Sequence, residues 1–181
     1  RIRMTSYFDN GSFMSDTDQT VDLNETQDNS HPSTVFYLRG IKLAVKTYRD
    51  RVWLHFYNRV CFSERISLTL EEFISIFSKS KELNEGENKI IGEEADLLSI
   101  EITKYFSIEI SKSDDKLTYL FKKVPYKKGG TNTIKRLPLR FDQFRHILDL
   151  KVEIFKFTDY LENKVETDFR NELYKNSNPK V

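Results

Sequence analysis

With 181 residues and 21.5 kDa, the chain makes one ordinary domain or two small ones of about 80–90 residues. Its 29 basic and 28 acidic side chains leave a net charge of +1, which excludes a uniformly basic nucleic-acid coat and a simple acidic tail protein alike. Six glycines and four prolines exclude collagen-like and long flexible-linker architectures, while 14 Phe, 9 Tyr and one Trp carry much of the apolar mass.

Residues 1–33 are polar, with Asp16, Asp18, Asp22, Glu25 and Asp28 and almost no basic residue after Arg3. They lack hydrophobic periodicity and read as a flexible acidic arm, either plainly solvated or competing with an anionic ligand for basic surface. From Thr34 strands begin. Thr34 to Leu38 leads through Arg39-Gly40 into Ile41 to Tyr48; Arg49-Asp50 is a tight turn, and Arg51 to Val60 alternates again. Arg65 to Leu70 is a further short strand. Thr69-x-x-Glu72 then forms a capping box, and Phe73, Ile76 and Phe77 recur at helical spacing behind it. Glu82 to Asp96 is acidic and glycine-containing, and reads as a connector.

The plan then repeats. Ile100 to Ser111 has a strand pattern, Asp114-Asp115 a turn, and Lys116 to Val124 a second strand pattern. At an offset of 65, Leu43, Val45, Arg51, Val52 and Phe56 fall on Ile108, Ile110, Lys116, Leu117 and Phe121. After a longer loop the offset becomes 71, so that Arg65 to Leu70 falls on Arg136 to Phe141 and Glu72-Phe73 on Gln143-Phe144. This is an internal duplication; two unrelated hairpins, each followed by a helix, are the alternative. The expected divisions are the arm (1–33), a first sheet-helix repeat (34–81), the acidic connector (82–98), a second sheet-helix repeat (99–160) and a C-terminal extension (161–181). Apolar spacing through Phe144, Ile147, Leu148, Val152, Phe155, Phe157 and Leu161 runs longer than the first copy's helix, as a second helix over the sheet or an interface would.

Strand side chains alternate, so Val52, Leu54 and Phe56 point one way and Arg51, Trp53, His55, Tyr57 and Arg59 the other. Lys42 and Lys46 join that second face from the preceding strand, with Tyr48 and Arg49 at the turn. Cations interleaved with flat rings suit single-stranded nucleic acid, whose phosphates need charge and whose unpaired bases need stacking surfaces. Burial of Trp53 and Tyr57 under a helix or a partner is the competing explanation. The matching second-copy face holds Lys116, Thr118, Leu120 and Lys122, and the Lys127-Lys128-Gly129-Gly130 loop adds charge suited to phosphates. Acids sit in the arm and connector and bases on the sheets, a segregation that the net charge hides.

The run Leu43 to Leu54, followed by Arg65-Ile66-Ser67-Leu68-Thr69-Leu70-Glu71-Glu72-Phe73, resembles the C-terminal domain of the positive-cofactor-four transcriptional coactivators (the p15 family). The resemblance covers about 45 residues of the first copy and is looser in the second, which lacks the turn aromatic. It implies an α+β fold of two tandem repeats, each a small antiparallel sheet followed by a helix, arranged as a pseudo-two-fold intramolecular dimer. It also implies binding of single-stranded or unwound DNA with little sequence preference. Carried over, Tyr48 is the turn aromatic, Arg49 and Arg51 its flanking cations, and Arg39 and Lys104 the basic residues preceding the paired strands. The family's second stacking aromatic falls on Val60 and Pro125, so that contact is missing, with Tyr57 or Trp53 as the substitute.

His31, His55 and His146 are scattered, and no zinc-protease spacing, phosphate-binding glycine loop or nucleophile elbow occurs, so catalysis, a bound metal and a cofactor are not expected. The lone Cys61 can form no internal disulfide and no zinc site alone, which points to an intracellular, reducing compartment. No run approaches the roughly 18 apolar residues of a membrane-spanning helix, so a membrane role is not expected. The expected ligand is single-stranded DNA, with RNA as the alternative because both offer phosphates and stackable bases. The expected setting is the nucleus, or wherever DNA is replicated or transcribed, alongside proteins of those processes. The Asn, Lys, Ile and Phe content also fits an AT-rich, including a viral, genome. A protein-interaction module using the same aromatic face is the competing class.

Overall fold

The computed structural model describes residues 19–22, 33–125 and 133–177. Strands β1 (Gln19–Asp22), β2 (Ser33–Leu38), β3 (Ile41–Tyr48), β4 (Arg51–Asn58) and β5 (Arg65–Thr69) precede helices α1 (Leu70–Ser78) and α2 (Ser80–Ile91). Strands β6 (Leu97–Glu101), β7 (Phe106–Ser113), β8 (Lys116–Lys123) and β9 (Lys135–Arg140) precede α3 (Phe141–Asp149) and α4 (Lys151–Ser177). Each set of strands forms an antiparallel sheet in sequence order, five-stranded in the first repeat and four-stranded in the second. The fold is α+β.

The duplication is written into the element boundaries. β3 and β4 map onto β7 and β8 at an offset of 65, and α1 maps onto α3 at 71. Their turns match as well. Arg49 and Asp50 have φ of 50° and 59°, and Asp114 and Asp115 have 50° and 60°. Two successive positive φ values make the two-residue hairpin turn whose twist suits the strands it joins. The helix starts are built alike too. Thr69 Oγ1 accepts from the Glu72 amide at 3.2 Å while Glu72 Oε1 accepts from the Thr69 amide at 3.0 Å, and Gln143 Oε1 accepts from the Arg140 amide at 2.9 Å.

One face of each sheet is apolar, and both faces meet in a shared core. Leu43, Val45, Leu54, Phe56, Ile66 and Leu68 from the first sheet join Ile108, Ile110, Tyr119, Phe121, Leu137 and Leu139 from the second. The rings of Phe56 and Phe121 meet edge-on across that boundary, 6.4 Å between centroids. The helices are exchanged. α2 leaves the first repeat to pack on β6, β7 and β8, and α4 leaves the second to pack on β3 and β4.

Three expectations change, and one open choice is decided. The arm supplies β1, which pairs antiparallel with β2; Val21 is its lone aliphatic residue, so main-chain bonding to an open sheet edge places it without any hydrophobic pattern. The acidic connector is largely the helix α2, with Leu83, Gly86, Glu87 and Ile90 buried. Its burial is possible because Glu87 has partners: Tyr119 Oη donates to it at 2.7 Å, and Arg145 Nη2 lies 3.0 and 2.8 Å from its two oxygens. The stretch from Ile100 to Ser111 is divided between β6 and β7 by a turn, in which the Ile102 and Thr103 amides both donate to Phe106 O at 3.0 Å. The C-terminal extension is helical to Ser177, and of the two roles open to the apolar spacing beyond α3, α4 takes that of a helix covering a sheet.

Candidate nucleic-acid interface

The polar face of the first sheet is organised in rows across β3, β4 and β5. Register places Lys42, Tyr57 and Arg65 in one row, Ala44, His55 and Ser67 in the next, and Lys46, Trp53 and Thr69 in a third; Tyr48 pairs with Arg51 at the turn. A ring therefore stands in the middle of each of the three rows. Because side chains two residues apart on a strand share a face, the three rings form a ladder along β4. Trp53 and His55 lie 6.5 Å apart with 18° between their planes, and His55 and Tyr57 lie 6.4 Å apart at 28°. All three are half-buried, while Lys46, Arg51 and Arg65 are exposed. Trp53 and Tyr57 thus lie between the two roles open to them, neither fully in the core nor free-standing.

Tyr48 is 60% exposed, with the Arg49 guanidinium 5.2 Å from its ring centroid. At the opposite end, Arg59 lies 4.9 Å from the Tyr37 ring, and its amide bonds Gly40 O. Arg39 occupies the β2–β3 turn at φ 44° and bonds Asp142 at 3.5 Å, while its carbonyl accepts from Gln143 Nε2 at 2.8 Å. It is thereby tied to the second repeat. Arg140 and Arg39 together hold the Asp142 carboxyl below its ordinary range, Arg140 contributing most.

His55 Nδ1 lies 2.7 Å from Ser67 Oγ. Burial first, then the charges of Lys46 and Lys123, bring its pKa from 6.5 down to about 4. The ring is therefore neutral at physiological pH, and the ladder presents three uncharged flat surfaces between cations. Lys123 runs in from β8: its Nζ lies 2.7 Å from both Glu72 Oε1 and Ser67 O and 5.2 Å from the Trp53 ring centroid. Glu72 and Lys123 are both buried, so this pair bolts the two repeats together beside Trp53.

The second sheet's face is built differently. Lys122 Nζ bonds Glu109 Oε1 at 2.6 Å, Ser111 Oγ bonds Thr118 Oγ1 at 2.8 Å, and Leu120 stands where His55 stands in the first copy. Lys116 is exposed at the hairpin, and Lys104 lies 5.4 Å from the Tyr105 ring in the β6–β7 turn. Lys127 and Lys128 lie outside the described residues. Val60, at one position of the missing aromatic, is 92% exposed.

Two further cations reach the ladder that alternation along β4 alone does not reveal. Arg65 completes the Tyr57 row from β5, and Lys135 of β9 lines a cleft of about 370 Å³ together with Tyr57, Arg65, Ser67 and Lys123. Arg65 stands in the strand pattern, but only the pairing register brings it beside Tyr57. Lys135 arrives through contact between the β5 and β9 edges, for which a single sequence carries no signal.

No family model matches the chain, and neither does any curated protein. Among solved structures, that of Trypanosoma brucei MRP1/MRP2 is similar at a TM-score of 0.31 and 12% identity, over 93% of this chain and 96% of that one.

Proposed function

We propose that the chain binds single-stranded or unwound DNA, with little sequence preference, on the polar face of its first sheet. The observation that carries this reading is the three-ring ladder of Trp53, His55 and Tyr57, with Lys42, Arg65 and Lys46 in its rows. Rings stack on any base, and flanking cations meet phosphates without reading sequence, which is the division of labour that non-specific single-strand binding requires. A duplex offers phosphates but no free base faces, so it would use only half of this surface. In this reading the two repeats act as a fused pseudo-two-fold dimer, supported by the matching element boundaries and the exchange of α2 and α4. The role in the cell is to hold strands opened during transcription or replication.

Fluorescence anisotropy against a labelled 20-mer, single-stranded and duplex, across a salt series tests the reading. The single strand should bind more tightly, with affinity falling by about 0.7 log units per log salt for each phosphate contact. Equal or absent binding, or a flat salt response, would mean that the face takes a protein instead. Tighter binding of an RNA 20-mer than of its DNA counterpart would reassign the ligand to RNA.

A further inference from the structure

Resting on that reading, we propose that the chain has a single strand path. It runs along the β4 ladder towards Tyr57 and ends in the cleft between the two sheets, where Arg65 and Lys135 receive a phosphate. The polar face of the second sheet holds no strand.

The duplication makes this a controlled comparison, because each position of β3 and β4 has a counterpart 65 residues on and each position of β5 has one 71 residues on. Trp53, His55 and Tyr57 correspond to Thr118, Leu120 and Lys122, so every ring is lost. Lys42 and Lys46 correspond to Ser107 and Ser111, and Ala44 corresponds to Glu109. Two cations are gained, Lys122 at the position of Tyr57 and Arg140 at that of Thr69, and Lys122 is bound to that Glu109 at 2.6 Å. Thr118 and Ser111 satisfy each other's hydroxyls at 2.8 Å. On β9, Arg140 is held by Asp142 at 3.0 Å. A strand laid here would meet a carboxylate in the middle of the face and nothing to stack on.

The first sheet, by contrast, leads somewhere. Tyr57, at one end of the ladder, is also a wall of the cleft between β5 and the ends of β8 and β9. Its volume of about 370 Å³ falls in the range that small ligands fill, roughly 300–1,000 Å³. Arg65, Lys123 and Lys135 line it, and among the described residues no carboxylate does. Lys123 already pairs with Glu72 at 2.7 Å, so the charge offered to a phosphate comes from the exposed Arg65 and Lys135. That phosphate is either one within the strand or one at its end.

Two double variants of equal charge change separate the surfaces: Arg65→Ala with Lys135→Ala at the cleft, and Lys116→Ala with Arg136→Ala on the second sheet. All four side chains are exposed, so both proteins should melt like the parent. Calorimetric titration of the full chain with an eight-nucleotide oligothymidylate should give one strand per chain. The cleft variant should lose about tenfold or more in affinity and about 1.4 from the log–log salt slope, while the second-sheet variant stays within about twofold. An oligonucleotide with a 5′- or 3′-phosphate that binds more tightly, with the advantage lost in the cleft variant, assigns the site to a strand end. Equal binding with and without end phosphates, and the same loss in the cleft variant, assigns it to an internal phosphate. Two strands per chain, or equal losses in the two variants, would overturn the single path while Trp53→Ala still weakens binding. No binding of single strands by the intact chain would instead remove the functional reading on which the path rests.

Discussion

His55 is the residue in which the ring ladder and the stability of the fold meet. It sits between two larger rings, bonds Ser67, and lies in the field of Lys46 and Lys123. Burial first, and then the two lysine charges, disfavour a charged ring, and the native pKa is about 4 against 6.5 for the free side chain. The unfolded chain therefore takes up a proton at this position before the folded one does. The resulting stability is fully present above pH 6.5 and is lost as pH falls towards 4. Thermal melts between pH 7 and 4 should show a steeper decline for the parent than for His55→Asn; parallel curves would show that the imidazole is not held neutral by its surroundings. At this scale much was legible in advance. Alternation along β4 named the ring-bearing face and its opposite, and Arg49-Asp50 and Asp114-Asp115 named the turns. Glu109 was not legible as the partner of Lys122, because cross-strand pairing depends on register rather than on sequence proximity.

Among the elements, α2 is the one whose importance the sequence concealed. Its buried positions, Leu83, Gly86, Glu87 and Ile90, have helical spacing, but a glycine and a glutamate occupy two of them. A hydrophobic pattern with two gaps in four reads as a polar linker. Both gaps have physical reasons. A Cβ at Gly86 would lie 3.1 Å from Ile100 Cδ1 and 3.2 Å from Ile110 Cδ1, so glycine lets the helix approach the second sheet. Glu87 is buried against Tyr119 and paired with the half-buried Arg145, and the burial together with the bond to Glu87 raises the Tyr119 hydroxyl well above its usual pKa. Leu83→Ala should cost about 2–4 kcal/mol by denaturant titration, the loss typical of a buried leucine. A change near zero would return this segment to the status of a connector. β1 was hidden for a different reason, since one aliphatic residue in four cannot announce a strand.

For the whole molecule, α1 and α3 each cover part of their own sheet, but exchange of α2 and α4 means that neither repeat buries the whole of its apolar face by itself. Residues 34–91 alone would leave the β3 and β4 surface without Ile154, Phe157 and Leu161, and would strand α2 without the sheet on which it packs. Calorimetry of the intact chain should show one cooperative transition, and the fragment 34–91 should show none. Two resolved transitions, or a folded monomeric fragment, would mean that the repeats are independent. The duplication itself was readable because turn, strand phase and helix start recur at two fixed offsets. The helix exchange was not, because nothing in the spacing of a helix states which sheet it will cover.

The buried bond between Glu72 and Lys123 has no like-for-like counterpart in the other direction, since the positions matched by offset are Gln143 and Asn58. In an assembly of two identical chains every substitution appears twice, so a change that improves one half is imposed on the other. Joining the two halves in one polypeptide removes that coupling. One surface can then carry rings and charges that its counterpart lacks, and one side of the boundary can hold a cation, Lys123, where the position matched by offset holds an amide, Asn58. The two repeats share element boundaries and turns, yet they differ residue by residue on their polar faces and across the boundary between them.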